Sequence, residues 1–142
     1  MRVLLDTHVV LDVLLKRTPW LEEAQALWQA NDEGRLTAYV TATTLTDIFY
    51  VARRLTDVQR ARQAIQVCLD AFEVTPVDRS ILVRAQQLSG SDFEDNVQIA
   101  SAEAAGLEAL VTRDRDSFQG SPLAVWLPSE CRERLIEPND EE

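Results

Sequence analysis

Short apolar runs alternate along this chain with longer stretches whose apolar residues recur every three or four positions. Residues 3–5 (Val-Leu-Leu) read as a short buried strand ended by Asp6, and residues 9–16 as a short helix. Pro19 suits the first turn of a second helix over 19–32, with Trp20, Ala24, Leu27 and Trp28 as its apolar stripe and Gly34 as its stop. A second strand is expected over 36–41. The helix over 44–55 presents Leu45, Ile48, Phe49, Ala52 and Leu55 on one face, and the helix over 57–72 presents Ala61, Ile65, Cys68, Leu69 and Phe72. A third short strand over 73–77 carries Pro76. A helix over 78–88 leads to the turn Ser89-Gly90-Ser91, and a helix over 93–105 stops at Gly106. Residues 109–111 form a fourth strand and 124–127 offer a fifth, after which Pro128 starts a last short helix. Strands separated by helices predict an α/β fold of three layers, with a central parallel sheet of four or five strands flanked by helices.

Length and composition narrow the class. A chain of 142 residues suits one domain, expected over 1–136, with 137–142 as an acidic, flexible tail. No stretch approaches the ~18 apolar residues of a membrane helix. Only three apolar residues separate Arg2 from Asp6, too few for a secretory leader, so a cytoplasmic protein without a membrane partner is expected. Cys68 and Cys131 lie far apart and are expected as free thiols, and a lone histidine, His8, argues against structural zinc. The balance of 24 acids against 14 bases, net −10, excludes a general nucleic-acid coating protein. Glu137, Asp140, Glu141 and Glu142 account for part of that charge, and carboxylates gathered around an ion are partly neutralised by it.

Each candidate acid has a bland local explanation. Asp6 precedes a helix and could cap it; Asp92 and Asp95 have the spacing of an N-cap and third helical residue; Asp114 lies in a turn; Asp47 sits in a helix off its apolar face. Together they say more. Asp6 follows the first strand and Asp114 the fourth, while Asp47 opens the helix after the second strand and Asp95 the helix leading into the fourth. In a parallel sheet all four then lie beyond the carboxyl ends of the strands, where open α/β sheets bind ligands. Four acids so gathered repel one another unless a hard divalent cation such as Mg²⁺ or Mn²⁺ offsets their charge. Asp95 also shares a helix face with Ile99, Ala102 and Gly106, an unusual place for an ordinary solvated acid.

At this point the chain resembles the PIN-domain family, which includes the toxin subunits of bacterial toxin–antitoxin pairs. The opening Val-Leu-Leu-Asp6-Thr7-His8 resembles that family's first motif, Thr41-x-x-Thr44-x-x-Asp47 the second, and Asp95-Asn-Val-Gln-Ile-Ala the third. Leu110-Val-Thr112-Arg113-Asp114 with Phe118 is similar to the fourth, and Leu-Ala-Val-Trp126-Leu-Pro128 to the closing strand, so the match spans about residues 3 to 128. The resemblance implies a metal-dependent nuclease acting on RNA, with Asp6, Asp47, Asp95 and Asp114 at the site and Asp6, Asp95, Asp114 and Asp116 toward the metal. It also implies a homodimer and a small antitoxin that blocks the site. Two positions depart from the family's pattern. Asp47 stands where Glu is common, and Ser117 where an acid often precedes the phenylalanine, leaving Asp116 as the nearby helper.

Other residues are read both ways. Thr7 could orient Asp6 or cap a helix. His8 is a structural residue or a neighbour of the site, since a metal-activated water needs no histidine. Asn96 could help bind phosphate but is expected as a solvated helix residue. Arg53, Arg54, Arg60 and Arg62 form the densest basic group, able to contact an RNA backbone but expected as a solvated face, while Arg113 and Arg115 flank Asp114, closer to the expected chemistry. Trp20, Trp28, Phe49 and Phe72 belong to core faces or an oligomer interface. An inactive PIN-like binding subunit is the alternative function. A haloacid-dehalogenase-type phosphatase fits poorly, because His8 replaces the second aspartate it needs. A receiver domain also fits poorly, because Lys16 is the only lysine.

Overall fold

The computed structural model describes residues 1–136. Its elements are β1 (Arg2–Leu5), α1 (Thr7–Leu14), α2 (Leu21–Asp32), β2 (Thr37–Thr41), α3 (Ala42–Leu55), α4 (Val58–Ala71) and β3 (Glu73–Thr75). They continue with α5 (Arg79–Gln87), α6 (Phe93–Ala104), β4 (Ala109–Val111), a 3-10 turn (Arg115–Phe118), β5 (Ala124–Trp126) and α7 (Pro128–Ile136). The acids at 137 and 140–142, and the expected tail, lie outside the described residues.

All four strand pairings are parallel, and the order is β3-β2-β1-β4-β5. β1 is central because Val3, Leu4 and Leu5 are apolar on both sides and leave no face for water. Side chains alternate along each strand. Val3, Leu5, Ala109 and Val111 pack into one core with Val9, Val10, Leu27, Ile48 and Cys68, beneath α1, α2, α3 and α4. Leu4 and Leu110 face the other way, against Ile99, Ala102 and Phe118 of α6 and the 3-10 turn. Helices therefore cover both faces, and each fully buried Leu or Val contributes about 1.5–3 kcal/mol.

The sheet is filled outward from β1 in two directions: first to β2 and β3, then back across to β4 and β5. This reversal leaves a crevice at the carboxyl ends of β1 and β4, the place where such sheets hold ligands.

Several local expectations are corrected. The strand over 73–77 ends at Thr75, since Pro76 has no N–H for the ladder. The helix over 19–32 begins at Leu21, and Pro19 follows a cis bond to Thr18. Trp20 is not core. It is 41% exposed, and the Arg113 guanidinium lies 3.7 Å from its ring centroid. Leu55 and Leu69 are also exposed, because each lies at the edge of its helix's buried stripe rather than at its centre. Cys68 and Cys131 are free and buried, and burial pushes their thiols up to about 11 and about 12. No described helix is long and apolar enough to cross a membrane.

Candidate active site

β1 runs straight into the crevice. The register Leu5↔Val111 places Asp6 level with Thr112, and the Asp6 amide donates to the Val111 carbonyl at 2.9 Å. Asp6 precedes α1 but makes no side-chain cap bond. Its buried carboxylate is held instead from across the fold: Gln98 Nε2 donates to Oδ1 at 3.0 Å and Thr112 Oγ1 to Oδ2 at 2.9 Å. The simple capping explanation fails for Asp6.

It holds for Asp92, whose carboxylate accepts the Asp95 amide at 3.0 Å and caps α6. Asp95, in the first turn, is thereby left with its own carboxylate turned to the cleft. Asp114 follows β4. Its amide donates to Thr112 Oγ1 at 3.1 Å, and its Oδ2 accepts from Ser117 Oγ at 2.6 Å. The Thr112 hydroxyl thus accepts from the Asp114 backbone while donating to Asp6. Thr41 caps α3 by accepting the Thr44 amide at 3.1 Å, which sets Asp47 in the second turn facing the same space. Thr7 Oγ1 meets Thr44 Oγ1 at 2.9 Å, so its hydroxyl joins the starts of α1 and α3 rather than orienting Asp6.

The result is a cleft of about 490 Å³ onto which Asp6, Asp47, Asp95 and Asp114 all open, together with Asp92 and Glu94. Leu11 and Phe118 supply its apolar part, His8, Gln98 and Ser117 line it, and Arg54 adds a fixed positive charge. Asp116 does not line this cleft. It faces an adjoining hollow of about 640 Å³ formed with Ser89, Gly90, Ser91 and Gln119, which shares Asp92, Asp95 and Ser117 with the cleft.

The acids strain against one another. Asp95 is pushed up to about 7, first by burial and then by the charges of Asp92, Asp6, Asp114 and Glu94. Burial raises Asp47, though Glu94 and His8 pull the other way. Glu94 is raised, above all by the charge of Asp47. Asp47 and Glu94 can therefore share a hydrogen bond when one holds a proton.

Oxygen donors alone, with several negative charges and few positive ones, suit a hard divalent cation. Among the described residues no three His, Cys, Asp or Glu side chains stand close enough to ligate one ion as they lie. Mg²⁺ ordinarily takes only one or two carboxylates directly and keeps several waters, so the donor set still fits it.

Glu94 and Gln98 were invisible as site residues in the sequence. The signal available was their place on α6, one residue before Asp95 and nearly one turn after it. The two arginines that flank Asp114 are both paired with acids outside the cleft. Arg113 Nε lies 3.0 Å from Asp12 Oδ2, and Asp12 is almost wholly buried, so Arg113 is structural. Arg115 pairs with Glu130 at 2.9 Å. Asn96 is buried, and its amide donates to the Gly90 carbonyl at 2.9 Å, holding the turn beside the hollow.

The comparisons with known proteins agree with this fold. No protein of curated function matches the chain. A chain of a toxin–antitoxin complex from Klebsiella pneumoniae is 25% identical, with 89% of this chain and 97% of that one covered at a TM-score of 0.66. A chain of DNA-bound VapBC from Salmonella typhimurium is 18% identical over 90% and 98%, with a TM-score of 0.72. VapC20 of Mycobacterium tuberculosis, described as a toxin that cleaves the sarcin–ricin loop, is 13% identical over 83% and 95%, with a TM-score of 0.66. The PIN domain family model matches residues 2–116, most of the chain, and this protein belongs to the PIN-domain family.

Proposed function

We propose that this chain is a divalent-metal-dependent endoribonuclease and the toxin of a toxin–antitoxin pair. The observation that carries the reading is the convergence of Asp6, Asp47, Asp95 and Asp114, from four separate elements, on one cleft at the switch point of a parallel sheet. Family membership and the solved toxins of the same fold support it.

Asp6, Asp95 and Asp114 are the residues to hold Mg²⁺ or Mn²⁺. When bound, the ion supplies Lewis acidity toward the phosphate and a water acidic enough to serve as nucleophile. The protein's share is positioning and charge. Gln98 and Thr112 fix the Asp6 carboxylate, Thr112 and Ser117 fix Asp114, and the Asp92 cap leaves the Asp95 carboxylate free. In the hydrolysis, water oxygen bonds to phosphorus, the bond from phosphorus to the leaving oxygen breaks, the leaving oxygen gains a proton from solvent to become a hydroxyl, and the attacking water's proton must be taken up. Asp47 and Glu94 open on the same cleft, each raised from its ordinary value, Asp47 by burial and Glu94 by the charge of Asp47, and are suited to accept it. Asp116, in the adjoining hollow, has a helper's role at most. Arg54 gives the RNA backbone a positive contact at the cleft.

The partner reading follows the toxin–antitoxin complexes among the similar structures. A small antitoxin placing a basic side chain among these acids would silence the enzyme through charge-assisted bonds. A homodimer in the cytoplasm completes the proposal. The deciding experiment is cleavage of total RNA by purified protein. Cleavage is expected with Mg²⁺ or Mn²⁺ and none in EDTA; undiminished cleavage in EDTA sinks the mechanism.

A further inference from the structure

Gln98 is a buried, uncharged side chain inside an acidic cleft. Only 5% of it is exposed, its Nε2 donates to Asp6 Oδ1 at 3.0 Å, and its Oε1 is buried with no hydrogen-bonding partner in the protein. Leaving a carbonyl unpaired costs about 1–3 kcal/mol, so an amide there demands a reason. The orientation follows from chemistry, since an ionised carboxylate only accepts and the amide must turn its N–H₂ toward Asp6.

The alternatives at this position show what the amide does. Leucine or methionine would fill the volume but leave Asp6 Oδ1 without its donor. Lysine would donate but bring a permanent positive charge, occupying the place of a cation at Asp6. Glutamate would add another charge to a cleft already crowded with acids. Of these side chains, only glutamine orients the carboxylate while leaving its negative charge available.

We propose that Gln98 is a positioning residue of the cation site. Its amide N–H₂ holds the Asp6 carboxylate in register for the ion without neutralising it. The proposal rests on the metal-dependent reading above and adds a specific residue to it. Groups that orient ligands in this way are typically worth about 10–100-fold in metal affinity.

The test is Mn²⁺ binding to the full chain, read as free Mn²⁺ by electron paramagnetic resonance, with melting in EDTA as the control for folding. Wild type should bind. Gln98→Met should melt close to wild type and bind Mn²⁺ roughly 10–100-fold more weakly. Gln98→Lys should melt as high as wild type or higher in EDTA and bind no Mn²⁺. Equal Mn²⁺ affinity in wild type and Gln98→Met overturns the positioning role while leaving the nuclease reading intact. No binding by wild type overturns both. A measurement on wild type covers the case in which the variants do not fold: the side-chain amide resonances of Gln98 should shift as Mg²⁺ saturates the site. Resonances that stay fixed through saturation overturn the proposal.

Discussion

Arg113 Nε lies 3.0 Å from Asp12 Oδ2, and this pair ties the end of β4 to α1. Asp12 also takes Arg17 Nε at 2.9 Å, so one buried carboxylate is shared by two guanidinium groups. Arg113 in turn lies against the Trp20 ring. The chain on either side of the cleft is therefore fastened at a point just behind Asp114, and a cation adjacent to the catalytic candidate is kept away from it.

Replacing Asp12 should accordingly harm stability more than chemistry. Asp12→Ala leaves two guanidinium groups without their buried partner. Breaking a buried pair costs roughly 3–5 kcal/mol, and the partial exposure of both arginines reduces this to about 2–3 kcal/mol. Urea unfolding should show a lower midpoint with an unchanged slope. A wild-type midpoint would show that the arginines find water or other partners at no cost.

Removing single acids from the cleft should do the reverse. Asp6→Asn and Asp95→Asn are expected to lower RNA cleavage by at least about 100–1000-fold, since an ion-binding charge is worth several kcal/mol in the transition state. Asp47→Asn should be milder, and Asp116→Asn milder still because its side chain faces the neighbouring hollow. Circular dichroism should report intact folding. An Asp116→Asn protein as inactive as Asp6→Asn would reassign the fourth acid.

The metal-free protein should lose stability as pH rises through the range in which Asp95 ionises. Its carboxyl sits at about 7 in the fold against 3.8 as the ordinary value. Between those limits the native state holds a proton that the unfolded chain has released, so stability falls with rising pH. Allowing for solvent screening, the loss is on the order of 1–2 kcal/mol. Asp95→Asn has no such proton, and melting in EDTA from pH 4 to 8 should show a flatter profile and a higher melting temperature at pH 8. Parallel profiles in wild type and mutant would contradict the crowding of charges described above. Adding Mn²⁺ at pH 8 should stabilise wild type by mass action.

Expressing the chain alone in a bacterium should arrest growth, and Asp95→Asn should relieve the arrest. Colony counts after induction give the answer. Normal growth together with strong RNase activity of the purified protein would remove the case for a dedicated antitoxin.

The sequence by itself determined the elements and the end of the sheet at which the acids gather. Those depend on short-range physics: Val3-Leu4-Leu5 has no polar face, Thr41 and Asp92 cap the helices that follow them, and Pro76 stops a ladder. A parallel sheet then puts every strand's carboxyl end on one side, so Asp6, Asp47, Asp95 and Asp114 could be grouped without knowing the strand order. Only the tertiary structure decided which side chains meet. Gln98 reaches Asp6 across 92 positions, Thr112 reaches it across 106, and Arg113 reaches Asp12 across 101. Trp20, apolar enough for a core, stands one residue ahead of α2 and lies against the Arg113 guanidinium. These contacts follow from the register of β1 on β4 and from the way α6 crosses beneath it. A one-residue slip in that register would turn every side chain of β1 to the opposite face, and nothing local to Asp6, Gln98 or Thr112 encodes it.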